Sequence, residues 1–441
     1  MVAAVLGLTA ASQAQQSPVS AERVKAEFLH AWNAYKQYAW GHDALKPLSK
    51  TPHDWYGTSF LMTPVDGFDT MLLMGLDEEA ALAKRLILDS LRFDKDIDVQ
   101  AFEITIRLLA GLLSAYQMDG DGRFLELATD LGNRLLPIYN SPTGMPYRYV
   151  NLLTGVTRDS LNNPAEIGTA LLEFGTLSAA TGDQRYYDKA KRAVVELYKR
   201  RSSIDLVGSV INVETGEWVN TQSHIGGGID SYYEYLLKSW LLFGDPEFRS
   251  MWQTSIAAVH THLADSRFGR LWYGRSDMTN GTRSGTEFGS LHAFFPALLC
   301  LDEDLEQAAL LQESCYAMWT LHGIEPEAID YRTMTVTAPE YYLRPETIES
   351  AYYLYTYTGD RRYREMGETF FRSLVRHCRT EAGYAHLESV VTKAKADAME
   401  SFFFAETLKY LYLLFAPPSA LPFDDFIFTT EAHPLRRNWT R

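Results

Sequence analysis

One short phrase recurs along this chain: Gly-Asp, two variable residues and an aromatic residue. Its copies begin at Gly120, Gly182, Gly244 and Gly359, so the first three copies are spaced evenly by 62 residues. Each copy follows one apolar helical pattern and precedes another, and a degenerate copy stands at Gly75-Leu76-Asp77. Glycine is favoured just beyond the end of a helix, and aspartate at the cap that begins one. The phrase therefore predicts the tight turn of a helical hairpin.

A repeat of about 60 residues corresponds to one helical hairpin, which buries its apolar face only against neighbouring hairpins. Residues 15–441 have room for about seven hairpins, and seven hairpins that close into a ring form an (α/α)7 toroid. The sequence contains no long Pro- or Gly-rich linker. The pattern therefore predicts an all-α fold with an inner and an outer layer of helices, and residues 15–441 as a single domain.

The C-terminal tail departs from this repeat. Pro417-Pro418 ends the last apolar helical pattern, and Phe423, Phe426 and Phe428 follow in a stretch with little helical character. A ring of hairpins also leaves its floor open. We therefore expect residues 419–434 to turn back into the barrel as a β-like plug.

The composition narrows the range of ligands. The chain of 441 residues has a formal net charge of −15, which would repel a nucleic-acid backbone or an anionic membrane surface. After the N-terminus, no apolar run approaches the roughly 18 residues of a membrane span. The 26 Tyr, 22 Phe and 9 Trp, together with the many acids, suit a neutral, hydroxyl-rich ligand. We expect a monomer that binds neither nucleic acid nor a membrane.

The N-terminal residues 1–14 form an apolar run that ends in Ser12-Gln13-Ala14, a small-x-small cleavage pattern. A basic segment before it is missing, so we interpret residues 1–14 as the remainder of a signal peptide on a secreted or periplasmic protein. The only cysteines are Cys300, Cys315 and Cys378, which allow one disulfide at most and show no zinc-binding spacing.

Two acidic clusters lie far apart in the chain. Asp230 and Glu234 are four residues apart, and Glu346 and Glu349 are three apart, so each pair shares one face of a helix. Like charges beside aromatic and apolar neighbours cost free energy unless they are paired, protonated or bound to a ligand. Two such pairs indicate glycosidase chemistry in outline, and the alternative is a pair of solvated helix faces.

Seven segments, spread over nearly the whole chain after residue 14, form a larger pattern. They are Asp66-Gly-Phe-Asp69-Thr-Met, Phe102-Glu103-Ile-Thr-Ile-Arg107, Asn163-Pro-Ala-Glu166, Gly228-Ile-Asp230-Ser-Tyr-Tyr-Glu234-Tyr, Leu343-Arg344-Pro-Glu346-Thr-Ile-Glu349-Ser, Glu400-Ser-Phe-Phe-Phe-Ala-Glu406-Thr-Leu-Lys-Tyr and Phe428-Thr-Thr430-Glu431-Ala-His-Pro. In this order they resemble class I α-mannosidases, the inverting α-1,2-mannosidases of glycoside hydrolase family 47. One segment alone would be weak evidence, but seven in order are specific.

The resemblance implies an (α/α)7 barrel with a calcium ion at its floor. It also implies removal of terminal α-1,2-linked mannose from mannose-containing oligosaccharides, with inversion at the anomeric carbon. Inversion requires one carboxylic acid that protonates the leaving oxygen and one carboxylate that activates water on the opposite face of the sugar. The surroundings of these two groups must therefore shift their pKa values in opposite directions.

Glu103 and Glu346 stand at the family's positions for the acid and the base. The apolar neighbours of Glu103 would favour its protonated form, although Arg107 would oppose that shift. Glu346 follows Pro345, so we expect it in the first turn of a helix, where the dipole favours the carboxylate. Asp230 follows three glycines at another helix start and should also stay ionised. It competes with Glu103 as the acid, acting through water, or stabilises the positive charge of the transition state.

The resemblance also implies which groups hold the ion and the sugar. Thr430 corresponds to the family's calcium ligand, through its hydroxyl and its carbonyl oxygen, which leaves most of the coordination to water and sugar hydroxyls. Arg107 and Arg344 match sugar-contacting arginines, although Arg344 is alternatively a structural ion-pair partner. Phe403 or a neighbour would stack on a pyranose face. The acids expected around the ion's waters and the terminal sugar are Glu166, Glu349, Glu406 and Glu431.

Two departures from the family pattern bear on these expectations. Eukaryotic members carry a disulfide whose second half resembles Cys315, but the segment around Ser290-Leu291 lacks the partner cysteine. In the same segment, Ser290-Leu291 stands where the family has a His-Leu pair. We therefore expect no such disulfide, and a family member of bacterial type. Gly228 stands where family members often carry a large side chain that shapes branch preference, so that preference does not transfer to this chain.

These features predict a calcium-dependent, inverting exo-α-1,2-mannosidase. The alternative from another class is a mannose-binding lectin that kept the barrel and lost turnover, but Glu103, Asp230, Glu346 and Thr430 are all intact. A different toroid hydrolase, such as an inverting glucanase, would explain the hairpins and the acids. It would not explain the Thr-Thr-Glu-Ala-His-Pro segment of the tail.

Overall fold

The structure is a computed structural model that describes residues 18–437. The expected remainder of a signal peptide, residues 1–14, lies outside the described residues. Within them, fourteen principal helices follow one another: α1 (Ala21–Tyr38), α2 (Met62–Leu73), α3 (Asp77–Ser90), α4 (Ala101–Ile104, Thr105–Leu109 and Ala110–Asp119), α5 (Gly122–Leu135), α6 (Leu171–Thr181), α7 (Arg185–Lys199), α8 (Asp230–Phe243), α9 (Pro246–His262), α10 (Phe295–Leu301), α11 (Leu305–Leu321), α12 (Glu346–Thr358), α13 (Arg361–His377) and α14 (Phe403–Thr407 and Leu408–Phe415). Shorter helical turns are formed by Leu136–Tyr139, Pro164–Gly168, Ser290–Phe294, Pro418–Ala420 and Phe423–Asp425.

The even-numbered helices form an inner ring, and the odd-numbered helices surround it. Successive inner helices pack side by side and α14 returns to α2, so the ring is closed. Helix α1 covers α14 from outside, where the rings of Phe28 and Phe404 lie 5.2 Å apart. An inner helix such as α8 is buried without interruption over 231–239, whereas the outer helix α13 buries a single stripe. The predicted all-α (α/α)7 barrel is confirmed.

The recurring phrase acts as the turn of each hairpin. Gly120 ends α4 in the left-handed region with a φ of 84°, a conformation that favours glycine. Asp121 then caps α5, because its carboxylate accepts the Arg123 amide at 3.1 Å. The degenerate copy keeps the left-handed Gly75, but Leu76 occupies the cap position and supplies no side-chain hydrogen bond.

Short antiparallel strands occupy the connections between the helices and the C-terminal tail. They are β1 (Ala44–Lys46), β2 (Thr51–His53), β3 (Asp98–Gln100), β4 (Tyr149–Asn151), β5 (Thr157–Arg158), β6 (Leu161–Asn162), β7 (Val210–Asn212), β8 (Trp218–Asn220), β9 (Gln222–Ser223), β10 (Ala264–Arg267), β11 (Arg270–Tyr273), β12 (Arg275–Asp277), β13 (Arg283–Gly285), β14 (Glu287–Gly289), β15 (Ala328–Asp330), β16 (Thr335–Ala338), β17 (Arg379–Thr380), β18 (Gly383–Tyr384), β19 (Phe426–Phe428) and β20 (Pro434–Arg436). Except for β19 and β20, these strands join an outer helix to the next inner helix, at the end of the barrel where inner helices begin.

Strands β19 and β20 form the predicted plug. They pair antiparallel, with Ile427 opposite Leu435, and both side chains are buried. Phe428 packs against Tyr410 of α14, with ring centroids 5.6 Å apart, so the hairpin is held by the inner ring. The loop between its strands, residues 429–433, is called the plug loop below.

Among residues 18–437, no helix combines the length and apolar character that crossing a bilayer requires.

Candidate active site

The first turns of several inner helices surround a cavity of about 330 Å³, and the plug loop forms part of its lining. Two arginines, Arg107 and Arg344, are the only basic side chains among the described residues that line it. Eight acidic side chains line it as well: Glu103, Glu166, Asp230, Glu234, Glu346, Glu349, Glu406 and Glu431. Carboxyl groups therefore outnumber the cations that could pair with them.

Two inner helices change their winding at this cavity. Thr105–Leu109 and Phe403–Thr407 are π-helical turns, and they carry the cavity residues Arg107 and Glu406. Such turns are rare and are found frequently at functional sites. The local winding therefore marks the same end of the barrel as the carboxyl groups do.

Glu103 lies at the start of α4 and is an ion-pair partner of Arg107, with the Arg107 Nη2 atom 2.9 Å from Glu103 Oε2. Arg107 also contacts Glu431 and lies 3.6 Å from Asp66 Oδ2. The face of Trp55 covers its guanidinium at 4.9 Å from the ring centroid. Arg107 thus joins α2, α4 and the plug loop, and Glu103 is a paired carboxyl group rather than an isolated one in an apolar pocket.

Asp230 begins α8, one residue after the turn formed by Gly226–Gly228. Burial raises the pKa of Asp230 to about 7, and nearby Glu234 adds to the shift. The Ser231 amide, which donates to Asp230 Oδ1 at 2.9 Å, opposes the shift without cancelling it. The expectation that this helix start keeps Asp230 ionised is therefore wrong in direction, because loss of water outweighs the helix dipole.

Glu346 is the first residue of α12, as its place after Pro345 predicts. Burial raises the pKa of Glu346 to about 7, although the Arg344 guanidinium opposes the shift. The Oε2 atom of Glu346 is buried and has no hydrogen-bond partner among the described residues. Here too, burial overrides the expected stabilisation of the carboxylate, and one oxygen stays available to a ligand.

Arg344 combines the two alternatives that the sequence left open. Its Nη2 atom donates to Glu327 Oε1 at 2.7 Å, so it is a partner in an ion pair. It also lines the cavity, and its guanidinium lies 5.9 Å from the ring centroid of Phe402. The ion pair therefore holds a cavity arginine in place.

The deeper acids differ in how well they are paired. Burial raises the pKa of Glu349, Glu406 and Glu431, and mutual repulsion among these carboxyl groups and their acidic neighbours adds to the shift. Tyr410 donates to Glu349 Oε1 at 3.1 Å. Glu166 is fully engaged, because Arg148 donates to it at 2.8 Å and the side-chain amides of Gln100 and Asn163 at 3.0 Å.

Phe403 does not reach the cavity. It is fully buried and packs against Tyr384 and Phe404, at centroid distances of 4.8 and 5.9 Å. The prediction that Phe403 stacks on a sugar is therefore wrong. Its neighbour Phe402 lines the cavity instead.

Thr430 lies in the plug loop at the cavity floor. Its backbone N–H donates to the Tyr235 hydroxyl at 3.2 Å. Across residues 18–437, no hydrogen bond involves its hydroxyl or its carbonyl oxygen. In the same range, no group of three or more His, Cys, Asp or Glu side chains is arranged to hold a metal ion.

A network of buried charges, Asp66, Asp69, His433 and Lys409, lies below the cavity and is called the base network. His433 contacts Asp69 at 2.7 Å and Asp66 at 3.3 Å, and Lys409 contacts Asp69 at 2.8 Å. Burial opposes the charged forms, but the attraction between the partners prevails. It lowers the pKa of Asp69 to about 2 and raises that of His433 to about 9. His433 is thus a core residue whose two ring nitrogens both have acidic partners.

Sequence reasoning noted Glu234 beside Asp230 but gave it no role in the site. It lines the cavity, and its partner is the buried Lys238, one helical turn later. The spacing of four residues between Glu234 and Lys238 was the signal that could have identified this ion pair.

The three cysteines, Cys300, Cys315 and Cys378, are buried free thiols.

The model of glycosyl hydrolase family 47 matches residues 27–437. The chain belongs to glycosyl hydrolase family 47. It is 37% identical over 455 residues to the mannosyl-oligosaccharide 1,2-alpha-mannosidase MNS1 of Arabidopsis thaliana, which covers 96% of this chain and 80% of the relative. It is 38% identical over 451 residues to the ER degradation-enhancing alpha-mannosidase-like protein 2 of Mus musculus, covering 94% of this chain and 77% of the relative.

A solved structure from the same group agrees with the barrel. The alpha-1,2-mannosidase from Trichoderma reesei superposes with a TM-score of 0.88 at 28% sequence identity, covering 95% of this chain and 99% of that one. This family 47 protein is therefore a glycoside hydrolase on an (α/α)7 barrel. The relatives described above are eukaryotic and lend no support to the expectation of a bacterial type.

Proposed function

We propose that this family 47 hydrolase is a calcium-dependent, inverting exo-α-1,2-mannosidase that removes terminal mannose from mannose oligosaccharides or N-glycans. The observation that carries the proposal is a cavity with eight acidic side chains and a lining that includes the plug loop. A plugged floor admits the end of a glycan rather than its middle. The relatives named as 1,2-alpha-mannosidases support the choice of linkage.

Glu346 is proposed as the general base. In its carboxylate form it takes a proton from the water that attacks the anomeric carbon. Its Oε2 atom has no partner in the described part of the chain and is free to accept this proton. Arg344 lowers the pKa of Glu346 against the effect of burial, and Glu327 holds Arg344 in position.

Two carboxyl groups compete as the proton donor, and their surroundings differ. Glu103 is ion-paired with Arg107, whereas burial raises the pKa of Asp230 to about 7. Because Arg107 already engages Glu103, and Asp230 has no ion-pair partner among residues 18–437, we favour Asp230 as the donor. It protonates the glycosidic oxygen, which leaves with the rest of the glycan while water bonds to the anomeric carbon.

A substrate that needs no acid distinguishes the two donors. Fluoride leaves α-mannosyl fluoride without protonation, so the variant that lacks the donor should recover turnover on this substrate. We expect Asp230→Asn to lose at least about a hundredfold in turnover of α-1,2-mannobiose but less than about tenfold on the fluoride. If Glu103→Gln shows that pattern and Asp230→Asn does not, Glu103 is the donor.

The donor set at the cavity floor fits calcium. Within 18–437 the hydroxyl and carbonyl oxygen of Thr430, which are hard ligands, are unengaged, and the acidic side chains of the cavity outnumber its arginines. When bound, the ion would coordinate sugar hydroxyls and offset part of this negative charge. We propose that Thr430 holds the ion directly, and that the carboxyl groups of Glu349, Glu406 and Glu431 orient its waters.

Thr430→Ala tests this assignment. The variant should unfold cooperatively, because Thr430 packs no core, yet lose tight calcium binding in calorimetry and most of its activity. Calcium affinity equal to that of the parent protein would move the ion away from Thr430.

A panel of disaccharides tests the activity itself. Chromatography should detect mannose released from α-1,2-mannobiose and from a high-mannose N-glycan, with at most about one hundredth of that rate on α-1,3- or α-1,6-mannobiose. Binding of the glycan without release of mannose would identify a lectin, and equal rates on the three linkages would contradict the proposed specificity.

A further inference from the structure

The backbone of Thr430 is anchored to the barrel wall by a tyrosine. The Tyr235 hydroxyl accepts the Thr430 N–H at 3.2 Å and donates to Glu173 Oε1 at 2.6 Å. Tyr235 belongs to α8 and Glu173 to the neighbouring inner helix α6. Both side chains are fully buried, and neither lines the cavity. The pair therefore connects two inner helices to the plug loop from behind.

The direction of these hydrogen bonds follows from the groups involved. An amide N–H only donates, so the Tyr235 oxygen must accept from Thr430 and its own hydrogen must go to Glu173. The orientation of Tyr235 is thus specified by Glu173.

A second contact restrains the other end of the plug loop. Lys409 Nζ donates to the carbonyl oxygen of Ala432 at 2.6 Å. Ala432 has a φ of 57°, in the left-handed region that a residue with a side chain rarely adopts, so this part of the loop needs support. The two contacts leave the hydroxyl and carbonyl oxygen of Thr430 without a partner within 18–437, and hence available to a ligand.

We propose that Tyr235 and Glu173 are positioning residues that hold Thr430 in the orientation in which it binds calcium. The inference rests on the proposed function, because it assumes that Thr430 is a calcium ligand. A ligand that is ordered before binding loses less conformational freedom when the ion arrives, which favours affinity. Without the Tyr235 hydroxyl, the plug loop should sample orientations that do not bind the ion.

Calorimetric titration of the full chain with calcium alone tests the proposal. Tyr235→Phe removes one oxygen atom and should weaken calcium binding at least about tenfold. Tyr233→Phe is the matched control, because Tyr233 is on the same helix, equally buried, and makes no hydrogen bond to the plug loop in the described structure. We expect it to bind calcium within about twofold of the parent protein, with a similar melting temperature in chelator.

Variants of Glu173 separate positioning from general core packing. Glu173→Gln keeps an oxygen that accepts from Tyr235 and should retain calcium affinity within about threefold, whereas Glu173→Leu removes the acceptor and should lose about fivefold or more. Both variants remove the buried charge. If the charge itself mattered, the calcium affinity would therefore change by the same factor in both variants. Equal affinities of the two variants would contradict the positioning role of Glu173.

The outcomes distinguish this inference from the proposed function. A parent protein that binds no calcium overturns the metal assignment and this inference with it. A parent that binds calcium, with unchanged affinity in Tyr235→Phe, overturns the positioning role alone. Should Tyr235→Phe fail to unfold cooperatively in chelator, Glu173→Leu decides the question, and unchanged affinity there also overturns the proposal.

Discussion

Carboxyl groups have opposite pKa shifts in the cavity and in the base network below it. In the base network, Asp69 meets Lys409 and His433, and its pKa falls to about 2. In the cavity, Asp230 and Glu346 line an open site, yet loss of water raises each pKa to about 7 because nearby cations do not compensate for it. Helix α14 and the plug loop contribute residues to both regions.

The difference separates structural charge from functional charge. A buried ion pair that satisfies its own groups holds elements together, whereas buried acids without partners persist where a ligand or a reaction uses them. The base network is therefore assigned to folding, and the cavity to the proposed substrate and ion. If this division is right, neutralising one charge should have opposite effects on stability in the two regions.

The largest effect on stability is expected in the base network. Lys409→Met leaves His433 as the one cationic partner of Asp69 in the described structure and removes the donor to Ala432, so the free energy of unfolding should fall by about 3–5 kcal/mol. Denaturant titration in chelator measures this loss. Lys199→Met, an exposed position on α7, is the control and should change little. A loss below about 1 kcal/mol for Lys409→Met would mean that the base network is not structural.

The largest effect on chemistry is expected at Glu346. Glu346→Gln keeps the shape of the side chain and removes the base, so turnover should fall at least about a hundredfold, or roughly 2.7 kcal/mol, while mannose binding persists. Steady-state kinetics and calorimetry with mannose measure the two effects. Glu368→Gln, on the outer helix α13, should leave both unchanged. Near-normal turnover in Glu346→Gln would reject its role as base.

The pH dependence of stability sharpens the comparison. Asp230 and Glu346 have folded-state pKa values of about 7, above those of the unfolded chain, so the folded state holds protons that the unfolded chain has released between about pH 4 and 7. Raising the pH through that window therefore destabilises the protein. His433, with a folded-state pKa of about 9, contributes stability that is complete below about pH 6.5 and lost towards pH 9, which has the same sign.

In chelator, the free energy of unfolding should thus fall by several kcal/mol from pH 5 to pH 8. Denaturant titrations at several pH values measure the slope. Calcium should flatten it, because a bound cation stabilises the carboxylate forms. A free energy of unfolding that rises from pH 5 to pH 8 would show that cations of the chain itself already stabilise the carboxylate forms of the cavity acids.

The smallest effect is expected from one cavity acid. Burial and repulsion from Glu431, Glu346 and Glu349 raise the pKa of Glu406. Glu406→Gln relieves this repulsion, so the calcium-free protein should gain about 1 kcal/mol of stability while it binds mannose more weakly. Thermal unfolding in chelator and calorimetry with mannose check both parts. A clear loss of stability would place Glu406 among the structural charges instead.

The barrel was predictable because the repeat is a local signal. Glycine and aspartate at the hairpin turns act within a few residues, and the phrase at Gly120 forms the predicted turn. The plug was predictable for a similar reason, since Pro417-Pro418 stops the last helix. The place of Glu346 in the first turn of α12 follows from the preceding proline alone.

The pKa directions were not predictable, because the local sequence shows a helix start and not how much water reaches it. Burial of Asp230 comes from elements distant in the chain that pack around α8. The choice of Phe403 failed for another reason. A π-helical turn begins at that residue, and such a turn shifts the side chains away from the usual helical face, so Phe402 lines the cavity instead. Nothing in the residue types signals this change of winding.

The most direct test of the account is an NMR time course of α-1,2-mannobiose hydrolysis, with calcium and with chelator. An acid and a base on opposite faces of the sugar predict β-mannose as the first product, formed with calcium and not with chelator. Slow mutarotation would produce α-mannose only later. Initial α-mannose would require a covalent intermediate, and an equal rate in chelator would remove calcium from the reaction; either result would contradict the proposed mechanism.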